Sequence, residues 1–356
     1  MHICRCFSTS VQMKYSHWSK DIFLLVLLAF FTMSLGSCKK DDEEEEALPM
    51  MTGDLLYDIP IYAKTNSSFT LTAYGLTSPE ADKISYIWTS ANLLKDTVRE
   101  PSCVITVPDS IGVYPITLTA SSDGYYDRVT SKTLTSIDTE FGKTVTEMPR
   151  PTDSIKDPRD GQWYYITAVG NLEWFVDNLN WAEAGEAYGK SDDLGEIMGR
   201  LYTWNDATDG VSASGLGAGP QGVCPPGWSI PTKEDWEDLA MNLNDGEPVS
   251  FDSNWVGLGE KVMIAALFNG EKMWPYTPDC NPENKFGWAA FPAGSCMNSY
   301  NNYTGLFSYA FWWASTEYSE SKAYYRYLYA DSRDFMRNIV GKGDFGASVR
   351  CVRLKQ

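Results

Sequence analysis

Residues 224–239 read Cys-Pro-Pro-Gly-Trp-Ser-Ile-Pro-Thr-Lys-Glu-Asp-Trp-Glu-Asp-Leu, which combines a turn, a short apolar segment and a helix start. The Pro-Pro-Gly run excludes regular structure at its own position. Thr232 is a favoured N-cap residue, and Asp235 stands where the acid of a capping box lies. The apolar residues from Trp236 to Leu243 recur with helical spacing. The pattern predicts a helix that begins after Thr232 and buries one face.

A set of further motifs surrounds this segment in a fixed order. They are Gly-Arg-Leu-Tyr-Thr-Trp at 199–204, Gly-Trp-Ala-Ala-Phe-Pro-Ala-Gly at 287–294, Phe-Trp-Trp-Ala-Ser-Thr-Glu-Tyr at 311–318 and Ser-Val-Arg-Cys-Val-Arg at 348–353. Together with residues 224–232 they resemble the Fibrobacter succinogenes major paralogous (FISUMP) domain, which belongs with the C-type lectin-like folds. The resemblance covers roughly residues 156–356. It implies a fold more strongly than a function, because one fold hosts many activities.

The cysteines give expectations for the covalent framework. The resemblance implies a disulfide between Cys224 and Cys351. Cys280 and Cys296 bracket a loop-rich insert, and we expect them to form a second bridge in an environment that permits disulfides. Cys103 has no partner in its own part of the chain, so we expect a buried thiol that behaves as a small hydrophobe.

The first 38 residues have the features of a targeting segment. Basic residues precede an apolar run at 22–31 that is too short to span a membrane, and Leu-Gly-Ser-Cys at 35–38 has the form of a lipobox. We expect residues 1–37 to be a lipoprotein signal peptide and Cys38 to carry outer-membrane lipid. Residues 38–50 would be an acidic tether, whose charge run resembles an export signal to the cell exterior. The alternative is a secretory signal with an incidental cysteine.

Composition excludes several classes of function. Asp and Glu number 47 against 29 Lys and Arg, a net charge of −18, which argues against a nucleic-acid partner. Both histidines, His2 and His17, lie in the leader. The mature chain would therefore lack Ser-His-Asp catalysis, Cys-His catalysis and histidine metal sites. We expect no cofactor and no metal, and we interpret Trp-Asn-Asp at 204–206 as a chance match to a lectin calcium motif.

The remaining chain divides into two predicted domains. Residues 51–138 alternate apolar and polar residues between turns, which predicts an all-β PKD- or immunoglobulin-like sandwich with Trp88 in its core. Residues 139–159 would be a linker. Residues 160–356 would form an α+β C-type lectin-like domain, with a hairpin over 163–176 and a second helix over 255–268. The predicted fold class is thus multidomain.

The last third of the chain is rich in Tyr, Asn and Ser, a composition typical of adaptable binding loops. Core packing on strands explains about half of these tyrosines, because alternate strand residues face inward. In C-type lectin-like folds, this region carries ligand contacts. The predicted ligand-binding residues are Tyr300, Asn302, Tyr303, Arg333, Phe335 and Arg337.

These observations favour a non-enzymatic binding module on a surface lipoprotein, either an adhesin or a pilus-associated tip protein that recognises a glycan or a protein. A structural surface lipoprotein without a dedicated ligand is the first alternative. An oxidase resembling formylglycine-generating enzymes is the second, because those enzymes share the wider fold and bind copper through a cysteine pair. A disulfide at Cys224 and Cys351 would leave no such pair of thiols.

Overall fold

A computed structural model of the chain describes residues 47–138, 144–145, 151–275 and 280–356. The predicted signal peptide, Cys38 and most of the acidic tether lie outside the described residues. Contacts group Pro49–Gln356 into one compact unit. Its architecture is mostly β, with several sheets, which is consistent with the β-rich character of the predicted fold class. None of the described helices is long and apolar enough to cross a membrane.

The N-terminal region consists of strands that form three small sheets. The strands are β1 (Thr52–Leu56), β2 (Tyr62–Lys64), β3 (Ser68–Thr72), β4 (Tyr74–Ser78), β5 (Ser85–Thr89), β6 (Ser102–Thr106), β7 (Val113–Ser121) and β8 (Arg128–Ile137). A four-stranded sheet has the order β2-β8-β7-β5, and the pairs β1-β4 and β3-β6 form the others. Alternation along β7 buries every second residue, because successive side chains point to opposite faces of a strand.

Trp88 occupies the centre of this region, as predicted. Its side chain is buried, its ring meets that of Tyr57 edge-on at 5.1 Å, and its indole N–H donates to the Glu100 carbonyl oxygen at 2.9 Å. Cys103 on β6 is a buried thiol, also as predicted. Burial raises the pKa of the Cys103 thiol to about 11, so it stays protonated and unreactive at neutral pH.

In the rest of the chain, the described residues form short strands and four α-helices. The strands are β9 (Thr144–Val145), β10 (Ser154–Lys156), β11 (Trp163–Val169), β12 (Leu172–Phe175), β13 (Glu186–Ala187), β14 (Arg200–Thr203), β15 (Ala266–Phe268), β16 (Glu271–Lys272), β17 (Ala293–Met297), β18 (Asn302–Leu306), β19 (Tyr309–Ser319), β20 (Lys322–Tyr329), β21 (Met336–Gly341), β22 (Gly346–Ala347) and β23 (Val352–Leu354). The helices are α1 (Asp192–Met198), α2 (Trp204–Thr208), α3 (Lys233–Leu243) and α4 (Leu258–Val262).

Two sheets frame this region. One has the order β10-β11-β12-β23, and the larger one has the order β13-β14-β22-β17-β19-β20-β21, with β18 paired to β17. The final strand β23 closes the first sheet by pairing with β12, so the chain end lies beside the predicted hairpin β11-β12.

Helix α3 begins as its sequence predicts. The Thr232 hydroxyl accepts from the Asp235 N–H, and the Asp235 carboxylate accepts from the Thr232 N–H at 2.8 Å, which completes the capping box. Burial raises the pKa of Asp235 to about 6, and its hydrogen bonds to Gly217 N–H and Thr232 N–H oppose that rise. The apolar face from Trp236 to Leu243 is buried.

The core beneath α3 is built from tryptophans that meet edge-on. Trp236 and Trp288 lie 6.0 Å apart, Trp288 and Trp312 lie 5.1 Å apart, and Phe335 contacts all three rings. Arg350 is fully buried against this cluster, with its guanidinium 4.1 Å from the Trp288 ring centroid. Burial lowers the pKa of Arg350 to about 9, so the side chain remains charged at neutral pH.

Two parts of the predicted layout are wrong in detail. The predicted second helix over 255–268 is only α4, because Met263 turns to an extended conformation and Ala266–Phe268 pairs with β9 and β16 as a strand. The predicted linker over 139–159 is partly β structure, because β9 and β10 lie within it. At Ala266–Phe268, tertiary strand pairing outweighs the local helical spacing.

Contacts also join the two predicted domains. The Asn269 side chain donates to the Ser136 carbonyl oxygen at 2.8 Å and accepts from the Asp138 N–H at 3.0 Å. The Ser191 hydroxyl donates to the Tyr62 carbonyl oxygen at 2.5 Å. Backbone groups take part in each bond, so these contacts fix the orientation of one region against the other.

Candidate functional site

The disulfide Cys224–Cys351 is present, with α-carbons 5.8 Å apart and a sequence separation of 127. It ties the turn before α3 to the segment between β22 and β23. The Cys351 carbonyl oxygen also accepts from the Phe175 N–H at 2.9 Å, so the bridge is joined to the first sheet.

The predicted Cys280–Cys296 bridge is absent. Cys296 is buried on β17, where the strand pairs with Gly346, and burial raises the pKa of its thiol to about 12. The Cys280 sulfur instead lies 3.6 Å from the Met263 sulfur, beside α4. The two cysteines therefore pack against different elements, although they bracket one insert in the sequence.

The predicted ligand residues of the first group lie on and before β18. Tyr300 is half-buried, and its hydroxyl donates to Asp206 Oδ2 at 2.5 Å and accepts from the Thr203 N–H at 3.0 Å. It fastens the β17-β18 turn to the start of α2, so its hydroxyl is engaged within the fold. Asn302 is exposed at the start of β18. Tyr303 is half-buried, and its ring lies 5.2 Å from that of Tyr188.

Tyr303 also lines a cleft of about 810 Å³ between the N-terminal strands and the segment before α1. Ile59, Ile61 and Lys132 form one wall, and Gly189 is part of the other. The lining mixes apolar and polar groups without a cluster of acids.

The second group surrounds β21 and divides by exposure. Phe335 is fully buried among the core tryptophans, so its prediction as a ligand contact is wrong. Arg333 is half-exposed and pairs with Glu260 Oε1 at 2.7 Å. Arg337 donates to the Asp252 carbonyl oxygen at 3.0 Å and lies 5.3 Å from the Tyr324 ring centroid. The predicted residues therefore do not gather at one surface.

A different aromatic surface forms on the sheet β19-β20-β21. We call it the aromatic ladder, and it consists of Tyr309, Phe311, Tyr327 and Tyr329. Cross-strand register places Tyr309 opposite Tyr329 and Phe311 opposite Tyr327. The rings stack nearly parallel, at 4.6 Å for Tyr309–Tyr329, 5.6 Å for Tyr309–Phe311 and 5.8 Å for Phe311–Tyr327.

The ladder is the partly exposed end of one face of this sheet, and the rest of that face is buried. Its four residues are partly exposed, whereas Trp313, Tyr325 and Phe345 continue the same face into the core. The opposite face of β19 carries Ala310 and Trp312, which are buried under α3 and its neighbours. Strand pairing on both sides of β20 holds the ladder rigidly.

Two hydroxyl groups of the ladder, those of Tyr327 and Tyr329, have a raised pKa and are neutral at physiological pH. A hydrogen bond to Asp331 at 2.6 Å raises the pKa of Tyr329 to about 12. Burial raises the pKa of Tyr327 above its ordinary value. Because stacked rings cover one another's faces, ligands would meet ring edges and hydroxyl groups. This chemistry suits hydrogen bonding and apolar contact.

Among the described residues, no group of three or more His, Cys, Asp or Glu side chains is placed to hold a metal ion.

Comparisons with known proteins give one family match. The model of the Fibrobacter succinogenes major domain matches residues 167–353, which is more than half of the chain. No curated protein matches. Among solved structures, extracellular domains 3–5 of Drosophila OTK match with a TM-score of 0.20 and 13% identity, covering 36% of this chain and 46% of that one. The family match includes the disulfide, α3 and the aromatic ladder, and the chain belongs to the Fibrobacter succinogenes major domain family.

Proposed function

We propose that this chain is a lipid-anchored surface protein whose C-terminal region binds a glycan or protein ligand without catalysis. The N-terminal region would be an immunoglobulin-like sandwich, and the C-terminal region would have a C-type lectin-like fold. The alternating burial of β7 with Trp88 at the centre supports the first assignment. The capped helix α3 and the paired chain end β23 support the second.

The observation that carries the binding function is the aromatic ladder. Rigid tyrosines lose little conformational entropy on binding, and their hydroxyl groups can hydrogen-bond at the edge of an apolar surface. The ladder lies in the part of the chain whose Tyr-rich composition predicts ligand contact. An oxidase is less well supported, because Cys224 and Cys351 form a disulfide instead of a thiol pair.

The proposed location at the outer membrane rests on Cys38, which lies outside the described residues. We expect Cys38→Ala to release the protein from the membrane, because acyl chains supply the anchoring energy. Fractionation of cells with an antibody against the mature chain measures this. Retention of Cys38→Ala in the outer-membrane fraction would contradict the anchor, and protection of the wild type from protease on intact cells would contradict surface exposure.

Substitution of the ladder tyrosines should weaken ligand binding. The double variant Tyr309→Ser/Tyr327→Ser should bind at least about tenfold more weakly than wild type. Truncation of an energetically important interface tyrosine typically costs more than about 1 kcal/mol, and about 1.4 kcal/mol corresponds to a tenfold change in affinity. The measurement is a glycan and host-matrix protein array probed with the mature chain. A matched control is Tyr318→Ser on the same strand, where 54% of the residue is exposed outside the ladder.

Tyr318→Ser should bind like the wild type. Equal binding by the ladder variant would remove the ladder from the ligand site. Failure of the wild type to bind any array component would favour the structural lipoprotein without a dedicated ligand.

A further inference from the structure

A separate exposed aromatic surface lies along strand β11. Trp163 is 65% exposed and Tyr165 is 45% exposed. The two residues alternate with buried Tyr164 and Ile166, so they project from the same face of the sheet. A tryptophan with two thirds of its surface in water is unusual, since tryptophan is highly buried on average.

The same face of β11 is covered farther along the strand. Thr167 lies opposite the fully buried Trp174, which belongs to the core under α3. The Thr167 hydroxyl donates to the Phe286 carbonyl oxygen, and Phe286 is 42% exposed. Trp163 and Tyr165 therefore lie in line on the exposed part of this face, and we call these two residues the aromatic stripe.

Polar groups border the stripe on the neighbouring strand. Lys156 pairs with Trp163, and Ser154 pairs with Tyr165, so each polar side chain shares the face of its aromatic partner. Both are exposed. Strand β11 is bonded on one side to β10 and on the other to β12, so the rings project from a rigid backbone.

We propose that the aromatic stripe binds an uncharged glycan. Trp163 and Tyr165 would stack on the apolar C–H faces of sugar rings, while the Ser154 hydroxyl and the Lys156 ammonium would hydrogen-bond to sugar hydroxyls. Trp163 and Tyr165 lie just before the residues that match the family model. It lies on a different sheet from the aromatic ladder and does not depend on it.

Size favours a glycan over a protein partner or a second copy of the chain. At these exposures, the two rings offer on the order of 200 Å² of aromatic surface, given roughly 150–250 Å² for each whole side chain. A stable protein interface needs about 800 Å² on each side. A narrow aromatic line with polar borders is enough for stacking on consecutive sugar units.

Charge favours an uncharged glycan over an acidic one or an anionic membrane. The net charge of the chain is −18, Asp153 directly precedes β10, and Asp160 lies in the turn between β10 and β11. This negative charge would repel anionic polysaccharides and anionic lipid headgroups. A neutral polyhydroxyl chain has no such cost.

The test is affinity gel electrophoresis of the full mature chain in gels that contain hydroxyethyl cellulose, xyloglucan, mannan or heparin. We expect at least one neutral polysaccharide to retard the wild type and heparin to have no effect. Trp163→Ala and Tyr165→Ala should each weaken retardation at least about tenfold. Trp163→Phe should recover most of it, because an aromatic face remains.

Tyr126→Ala is the matched control, because this tyrosine is 48% exposed in the N-terminal region. It should leave retardation unchanged, and all variants should melt within a few degrees of the wild type because the altered side chains are exposed. Absence of retardation in every neutral gel would overturn the proposal, as would retardation by heparin alone. Equal retardation of Trp163→Ala and Tyr126→Ala would also overturn it. A functional aromatic ladder is compatible with any of these results.

Discussion

Arg350→Met should lower the free energy of unfolding by about 3–5 kcal/mol, the largest effect we expect from a single substitution in this chain. Arg350 is fully buried, and its guanidinium donates to the carbonyl oxygens of Trp288 and Ala289 and, at 3.0 Å, to the Asn178 amide oxygen. Methionine fills a similar volume but has no donors. Buried acceptors without donors each cost about 1–3 kcal/mol.

These contacts make Arg350 the polar centre of the second region. It connects the last strand segment to the loop at Trp288 and to the segment after β12, which carries Asn178. The Asn178 side chain in turn donates to the Met198 carbonyl oxygen at 2.8 Å and accepts from the Trp312 indole N–H at 2.9 Å. Loss of Arg350 would therefore loosen several elements together.

Urea unfolding followed by tryptophan fluorescence measures the change. Arg353→Met is the matched control, because Arg353 lies on the next strand, is partly exposed, and pairs with Glu173 at 2.5 Å. A partly exposed ion pair contributes less than about 1 kcal/mol. An Arg350→Met variant as stable as Arg353→Met would show that Arg350 does not organise this region.

Removal of the disulfide should have a comparable effect. The variant Cys224→Ala/Cys351→Ala should lose about 4–5 kcal/mol, because a bridge that closes a loop of 127 residues restricts the unfolded chain strongly. Both cysteines are fully buried, so loss of the sulfur atoms also leaves a small cavity.

Unfolding midpoints with and without reductant separate the bridge from the cavity. Dithiothreitol should lower the midpoint of the wild type and leave that of the double variant unchanged. Cys103→Ala is the control for loss of a buried sulfur without a bridge. If dithiothreitol left the wild-type midpoint unchanged, the bridge would contribute nothing to stability.

Local sequence patterns predict those elements that are held together by residues close to one another in the sequence. The capping box at Thr232 and Asp235 fixes the start of α3, and strands β11 and β12 form the hairpin predicted over 163–176. The motif order predicts the family and the disulfide. Each of these features can be recognised from its own pattern of residues in the sequence.

Features that depend on tertiary packing were not predictable in the same way. Phe335 stands in a polar stretch but fills the space between Trp255 and Trp312, which no local pattern shows. The aromatic ladder needs the cross-strand register of β19 and β20, since its members are separated in sequence and meet only when Tyr309 pairs with Tyr329. The abundance of tyrosine in the last third of the chain indicates a binding surface but does not show which tyrosines form it.

Adhesion of intact cells tests the central claim most directly, because it requires both surface display and a working ladder. Cells would present wild-type chain or Tyr309→Ser/Tyr327→Ser at equal amounts, verified by protease shaving, over the array components bound by the purified wild type. We predict that wild-type cells adhere and that ladder-variant cells adhere at least about tenfold less. Equal adhesion of the two, or no adhesion of wild-type cells above cells that lack the protein, would contradict the account.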